Sequence, residues 1–423
     1  MQTVPTPRPR WAGLSTLLTL SVALLLVVLG GAPALGAAGD LDPGFDGDGK
    51  ATTPFPVGSF ANALAIQADG SIVAVGAAAG GSGTGEFAVA RHETSGGLDA
   101  TFGGDGMVTT PIAGGDGDEA RCVAIQPNGK IVVAGTDSYE RVAVVRYRAN
   151  GTLDDSFGGG GVVRTDLSGG EDVVHDVAIQ TNGRIVAVGY AGRDPRFTVL
   201  RYRSDGRLDR SFGDRGTAQI ARRWGVARSV ALQPDGRIVV TGYDGYGLLV
   251  ARYRSDGTLD GTFGRRGLVR KVVSEIFPLA VALQPNGKIV VGGDYDIFAR
   301  GLARFTADGR LDDTFGGDGT VRTRVGSGEQ AVSALAIQPN GRIVAAGYYG
   351  PHEGGTDEVF HIAVTRHLRS GKLDDPWSGN GKVTTDFPGG AFARGVALQG
   401  DGKVVVAGGG GDPQQFVLVR YLA

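Results

Sequence analysis

Short apolar runs without polar alternation, such as Ile131-Val132-Val133-Ala134, recur along the chain between turns rich in glycine, asparagine and aspartate. A run of this kind, too short for a helix, predicts a strand buried on both faces. Ahead of each run stands a second pattern, Val/Leu-Ala-Ile/Leu-Gln, ending at Gln67, Gln126, Gln180, Gln233, Gln284, Gln338 and Gln399. Its alanines alternate with larger Val, Leu and Ile, giving one slim and one bulky face, as a strand wedged near a crowded axis requires. The glutamines follow one another at intervals of 59, 54, 53, 51, 54 and 61 residues. Seven copies at a nearly fixed period define a structural repeat, and the repeat decides the fold.

Each unit reads as four strands. In the second, strands are predicted from Met107 to Thr110, Arg121 to Gln126, Lys130 to Gly135 and Arg141 to Tyr147. Pro127-Asn128-Gly129 joins the middle pair: proline presets φ, asparagine tolerates the next position, and glycine takes the left-handed residue of a tight hairpin. Four strands in about 55 residues, seven times over, predict an all-β fold, a seven-bladed β-propeller of four-stranded antiparallel blades over residues 39–423. A parallel β-helix needs shorter coils, and a sandwich needs no seven equal units. The last repeat ends at Tyr421 without a following outer strand, whereas residues 41–53 precede the first innermost one. The ring is therefore expected to close by pairing of its N- and C-terminal strands. Antiparallel connectivity puts the uniform turns on one face. The variable segments, among them 77–86, 111–121, 221–228 and 348–359, then share the other, where function is expected.

The joint motif Gly-x-Leu-Asp-x-x-Phe-Gly-x-x-Gly, then Ala-Ile/Leu-Gln-Pro-Asp/Asn-Gly-Lys/Arg-Ile-Val, then Arg-Tyr, resembles the delta-60 repeat family of bacterial proteins across residues 40–423. Departures are Asp46, Pro376-Trp377-Ser378, Ala68 and Gly400. The resemblance implies a β-propeller in an exported or surface setting and carries no established activity.

Composition sharpens this picture. Glycine supplies 74 of 423 residues with no three-residue period, which suits many tight turns and excludes both a helical bundle and collagen. Forty-two basic against 44 acidic side chains leave a formal charge of −2, so neither nucleic acid nor an anionic membrane surface is the expected partner. Residues 1–38 read as an export signal: Arg8 and Arg10 precede the apolar stretch from Leu14 to Leu29, and small residues follow at Ala32, Ala34, Gly36, Ala37 and Ala38. The alternative is an uncleaved N-terminal anchor. A secreted or extracytoplasmic monomer, without membrane contact after cleavage, is the expected product. The single cysteine, Cys122, has no partner and stands where other repeats carry Ala63, Asp176, Ser229, Ala280, Ala334 and Gly395, so it reads as a small filler.

Several constellations carry potential chemistry. Arg91, Arg146, Arg201, Arg252, Arg304, Arg366 and Arg420 share one repeat position, and Asp42, Asp99, Asp154, Asp209, Asp260, Asp312 and Asp374 another. Seven identical copies read as structural ion pairs, and the recurrent Phe45, Phe102, Phe157, Phe212, Phe263 and Phe315, with Trp377, as plugs between blades. Asp40, Asp42, Asp46 and Asp48, and likewise Asp116, Asp118 and Glu119, lack the full calcium loop pattern. Gly44 to Lys50 matches a phosphate loop only by chance, since Ala51 replaces its Ser or Thr. His92 and His367 replace aromatic core residues, while His352, Glu353, Asp357, Glu358 and His361 form an acidic loop without recognised ligand spacing. No cofactor is implied, and no catalytic motif is present.

The position five residues before each glutamine varies in chemistry while its neighbours stay uniform: Asn62, Arg121, His175, Arg228, Leu279, Ser333 and Arg394. These side chains are expected to ring the channel mouth, with Arg121, His175, Arg228 and Arg394 converging on a carboxylate or sulfate. The competing reading pairs each arginine with an acid such as Glu119, Asp172 or Asp176. Two functions follow: an exported non-catalytic binding module, for an anionic glycan, a small carboxylate or another surface protein, or an extracellular polysaccharide hydrolase or lyase using the histidine-bearing loop.

Overall fold

The Gln-terminated segments form the innermost strands of seven four-stranded antiparallel sheets in a computed structural model. It describes residues 36–423 except 57, 80–84, 113–116, 139, 168, 221–223, 246, 271–275, 297 and 352–358. Residues 1–35 of the expected export signal, Asp116, and His352, Glu353, Asp357 and Glu358 thus lie outside the described residues. Among the described residues no helix is long and apolar enough to cross a membrane.

Numbered by their innermost strands, the blades begin with Ser59–Ile66, Glu119–Ile125, Asp172–Ile179, Val226–Leu232, Phe277–Leu283, Glu329–Ile337 and Ala391–Leu398. Blade two shows the plan: Glu119–Ile125, Ile131–Asp137, Arg141–Tyr147 and, from the next sequence repeat, Val162–Thr165. Its second strand is wholly buried, which explains the unbroken apolar run. The ring closes as expected, because Lys50–Thr53 pairs antiparallel with Gln415–Tyr421 from Lys50↔Val419 to Thr53↔Phe416.

The uniform face is tied by one device per blade. Each expected Arg–Asp pair is present, as in Arg146 Nε donating to Asp154 Oδ2 at 2.7 Å, and Asp42, from the N-terminus, takes Arg420 at 2.7 Å. Each guanidinium also lies over the buried plug ring, 4.6 Å from Phe157 and 5.2 Å from Trp377. In Arg91, Arg146, Arg201, Arg252, Arg304 and Arg420 the Nη1 also reaches a turn carbonyl of the neighbouring blade, Ser204 O for Arg146 at 2.5 Å. The repeated glutamine adds a further link, shown by Gln284 Nε2 donating to Gly341 O at 2.8 Å in the next turn. Asp40 and Asp48 accept nearby backbone N–H groups and Asp118 accepts that of Ile112, so these carboxylates serve the turns.

The histidine substitutions fall in the core. Tyr147 and Tyr202 donate to Thr110 and Thr165 in the preceding blade, and buried His92 repeats this contact, its Nε2 lying 2.9 Å from Thr53 Oγ1. His367 is equally buried but turns to Thr365 of its own strand. Cys122 is a buried filler whose thiol donates to Ala134 O at 3.4 Å.

One feature escaped the sequence pattern. Every innermost strand carries a β-bulge, where pairing with the second strand skips a single residue: Asn62, Arg121, His175, Arg228, Leu279, Ser333 or Arg394. These residues lie inside the strands, not at their starts as the sequence suggested, because pairing resumes for two or more residues beyond the bulge. The bulge drives a carbonyl toward the second strand, and there stands Gly76, Gly135, Gly189, Gly242, Gly293, Gly347 or Gly408. A Cβ on any of these would sit 1.8–2.0 Å from that oxygen. The glycine is therefore a requirement of close approach, with no demand for positive φ. Gly189→Ala is expected to cost about 1–3 kcal/mol through forced backbone shifts. Gly261→Ala, with nothing within 4 Å of its Cβ, should be neutral or slightly stabilising. Urea unfolding of both variants checks the contrast; equal midpoints would mean that the bulge yields freely.

Candidate functional site

The bulge explains why one strand position varies in chemistry. A residue left out of the ladder is free of the pairing that fixes its neighbours, and its side chain is re-aimed toward the axis. All seven skipped residues line one axial cavity of about 220 Å³, together with the two residues after nearly every one of them. The structure thus brings Arg121, His175, Arg228 and Arg394 together.

A continuous polar arc runs round the mouth. Arg394 Nη1 donates to Asn62 Oδ1 at 2.5 Å, and Asn62 Nδ2 donates to Glu119 Oε1 at 2.9 Å. Glu119 Oε2 accepts from Arg121 Nη2 at 2.6 Å. The His175 ring stands between two guanidinium groups, its Nδ1 3.5 Å from Arg121 Nη1 and its Nε2 3.4 Å from Arg228 Nη1. Burial, then the charges of Arg228 and Arg121, hold the His175 pKa well below its ordinary value. The imidazole is neutral near pH 7 and offers no counter-charge.

The competing reading, one acid for each arginine, holds for Arg121 alone. Asp172 instead accepts from the backbone N–H groups of Leu167 and Gly192. Asp176 accepts from Ser229 and from the backbone of Val177 and Val230, and burial pushes its pKa up to about 6 despite these bonds. Among the described residues, no carboxylate lies within ion-pair distance of Arg228 or Arg394. Burial and the charge of Arg121 lower the pKa of both, with Glu119 offsetting part of this at Arg394. An anion bound among these groups relieves that repulsion.

An aromatic wall, unanticipated from sequence, surrounds the arc. Tyr190 packs 5.9 Å from His175, Tyr243 lies 4.7 Å from Phe277, and Tyr348 meets Phe360 edge-on at 5.2 Å. The Arg394 guanidinium lies over both Phe60 and Phe392, at 5.2 and 4.9 Å. The signal for this wall was a second variable strand position, the residue after the bulge-facing glycine: Ala77, Thr136, Tyr190, Tyr243, Asp294, Tyr348 and Gly409. Asp294 breaks the aromatic series. Burial, with Glu329 adding to it, pushes Asp294 up to about 7, and buried Arg300 nearby replaces the apolar residue of other blades. The acidic loop is only partly described; His361 Nδ1 lies 2.6 Å from Asp386 Oδ1 and its ring stacks on Tyr349. Among the described residues, no three His, Cys, Asp or Glu side chains gather to hold a metal ion.

Fold and channel together define a seven-bladed repeat propeller with a basic, aromatic-walled mouth. Six stretches of the chain, residues 67–102, 126–157, 180–212, 233–263, 284–315 and 399–423, match a family described as a domain of unknown function (DUF5122) beta-propeller. No curated protein matches the sequence. Among solved structures, a catalytically inactive virginiamycin B lyase from Staphylococcus aureus with quinupristin is similar, with 9% identity, coverage of 88% of this chain and 99% of that one, and a TM-score of 0.53. A streptogramin B lyase shows 12% identity, coverage of 88% and 97%, and a TM-score of 0.53. At such identities the likeness concerns the propeller fold alone.

Proposed function

We propose that this chain is an exported, non-catalytic binding propeller of the delta-60 repeat type, holding an anionic group at the channel mouth. The observation that carries the reading is that Arg228 and Arg394 face the cavity with a neutral histidine and an amide as direct neighbours, and, among the described residues, with no carboxylate within ion-pair distance. Guanidinium forks in a walled recess suit a carboxylate or sulfate, on a glycan, a small acid or an acidic patch of another surface protein. The loops of the same face set what else the ligand must fit.

Low millimolar glucuronate or sulfate is expected to raise the melting temperature of the protein, with the shift fading as sodium chloride rises. The folded triple variant Arg121→Ala, Arg228→Ala, Arg394→Ala should show none of it. A shift that survives in the triple variant places the anion elsewhere, and a wild type indifferent to every anion removes the binding reading.

A further inference from the structure

The arginine cavity does not stand alone. A second cavity, also about 220 Å³, adjoins it and is lined by Ser333, Tyr348, Phe360, Phe392 and Arg394. Ser333 and Arg394 belong to both, so the two spaces share a wall. One is lined by guanidinium, imidazole, hydroxyl and amide groups and by the buried carboxylate of Asp176, which Ser229 and the backbone of Val177 and Val230 already hold. The other is lined by three aromatic rings and the flat side of a guanidinium already lying against Phe392. Tyr348 meets Phe360 edge-on at 5.2 Å, so its ring forms a wall of the apolar space.

We infer that the mouth binds a small ring-bearing monocarboxylate, the carboxylate among Arg121, His175 and Arg228 and the ring against Tyr348, Phe360 and Phe392. This rests on the anion-binding reading and narrows it. Three observations select this class over a polyanion. The cavities are each too small for a chain of sugars, and together they match the roughly 300–1,000 Å³ of small-molecule sites. Glu119 already neutralises part of the arginine charge, and Glu329 stands in the same strand pair as Tyr348, which opposes a second negative group. The apolar cavity, finally, has no function for acetate or sulfate. An apolar ring there gains its affinity from burial and from contact with aromatic faces and the Arg394 plane.

The test is calorimetric titration of the intact protein with acetate, sulfate, benzoate and 3-phenylpropionate at fixed ionic strength. The ring-bearing acids should bind at least tenfold more tightly than acetate, with Phe392→Ala and Tyr348→Ala each removing most of that advantage while leaving acetate binding unchanged. Two variants are needed because the Arg394 guanidinium lies against the Phe392 ring, whose removal can shift it; Tyr348→Ala alone then decides. Acetate and 3-phenylpropionate binding equally, or an advantage kept in folded Tyr348→Ala, overturns the ring site and leaves the anion site standing. Failure of all four probes to bind overturns both.

Discussion

A chain beginning at Pro54 should lose roughly 5–8 kcal/mol of stability relative to one beginning at Gly36, the sum of a lost aromatic plug and an orphaned buried arginine. The segment removed contains Phe45, which is fully buried, and Asp42, the carboxylate partner of Arg420. Without Asp42, the guanidinium remains in a site where its side chain is only 6% exposed. The strand Gln415–Tyr421 becomes a free edge, losing its register with Lys50–Thr53 and also the contacts of Arg420 N with Gly49 O and Leu422 N with Asp40 O. His92 in turn loses the hydroxyl of Thr53, so the damage reaches blade one. Closure thus joins two neighbouring blades at once, and a bare edge invites pairing between chains. Calorimetric scans with size-exclusion chromatography decide: equal melting of the two chains, both monomeric, would show that the ring holds without its closing strand.

The fold was legible because a propeller repeats one solution, and seven copies of a motif average out the ambiguity of any single short strand. The Arg–Asp–Phe device could be read from identity alone: position by position, an element required in every blade does not vary, and Trp377 for phenylalanine merely fills the same plug. The site obeys the opposite logic. Arg121, His175, Arg228 and Arg394 stood out by differing from one another, but the reason they can differ, the unpaired bulge, depends on backbone register and leaves only an indirect trace in the glycine opposite. Tyr190, Tyr243 and Tyr348 were overlooked because the second strand reads as an uninterrupted buried run. It is unbroken only as far as that glycine, and the tyrosine after it is partly exposed beside the mouth. Asp172 and Asp176 looked available to the arginines in sequence, yet backbone N–H groups claim both. Spacing shows proximity; it does not show which donor a carboxylate will serve.

Asp154→Ala should destabilise the protein by about 3–5 kcal/mol at pH 7, since it removes one partner of a buried charge pair and leaves the other. Asp154 accepts from Arg146 Nε at 2.7 Å, from Lys130 Nζ at 2.8 Å and from Ser156 Oγ at 2.8 Å. Arg146 retains Ser204 O and the Phe157 ring after the substitution, but neither carries a compensating charge. Lys130→Ala, in contrast, should cost about 0–1 kcal/mol, because that side chain is 30% exposed and water replaces it. Acid separates the ion pair from simple packing. Burial alone would raise the Asp154 carboxyl, yet Lys130, Ser156 and Arg146 outweigh it and hold the group well below its ordinary 3.8. A lowered folded-state pKa contributes stability that is complete above the unfolded value and drains away as pH falls below it toward the folded one. The gap between wild type and Asp154→Ala in urea should therefore be constant from pH 7 to 5 and shrink once pH drops below about 4. A gap of the same size at pH 2.5 would assign the loss to packing around Arg146 and Phe157, and the charge pair would then be a by-product of the turn geometry that repeats in every blade.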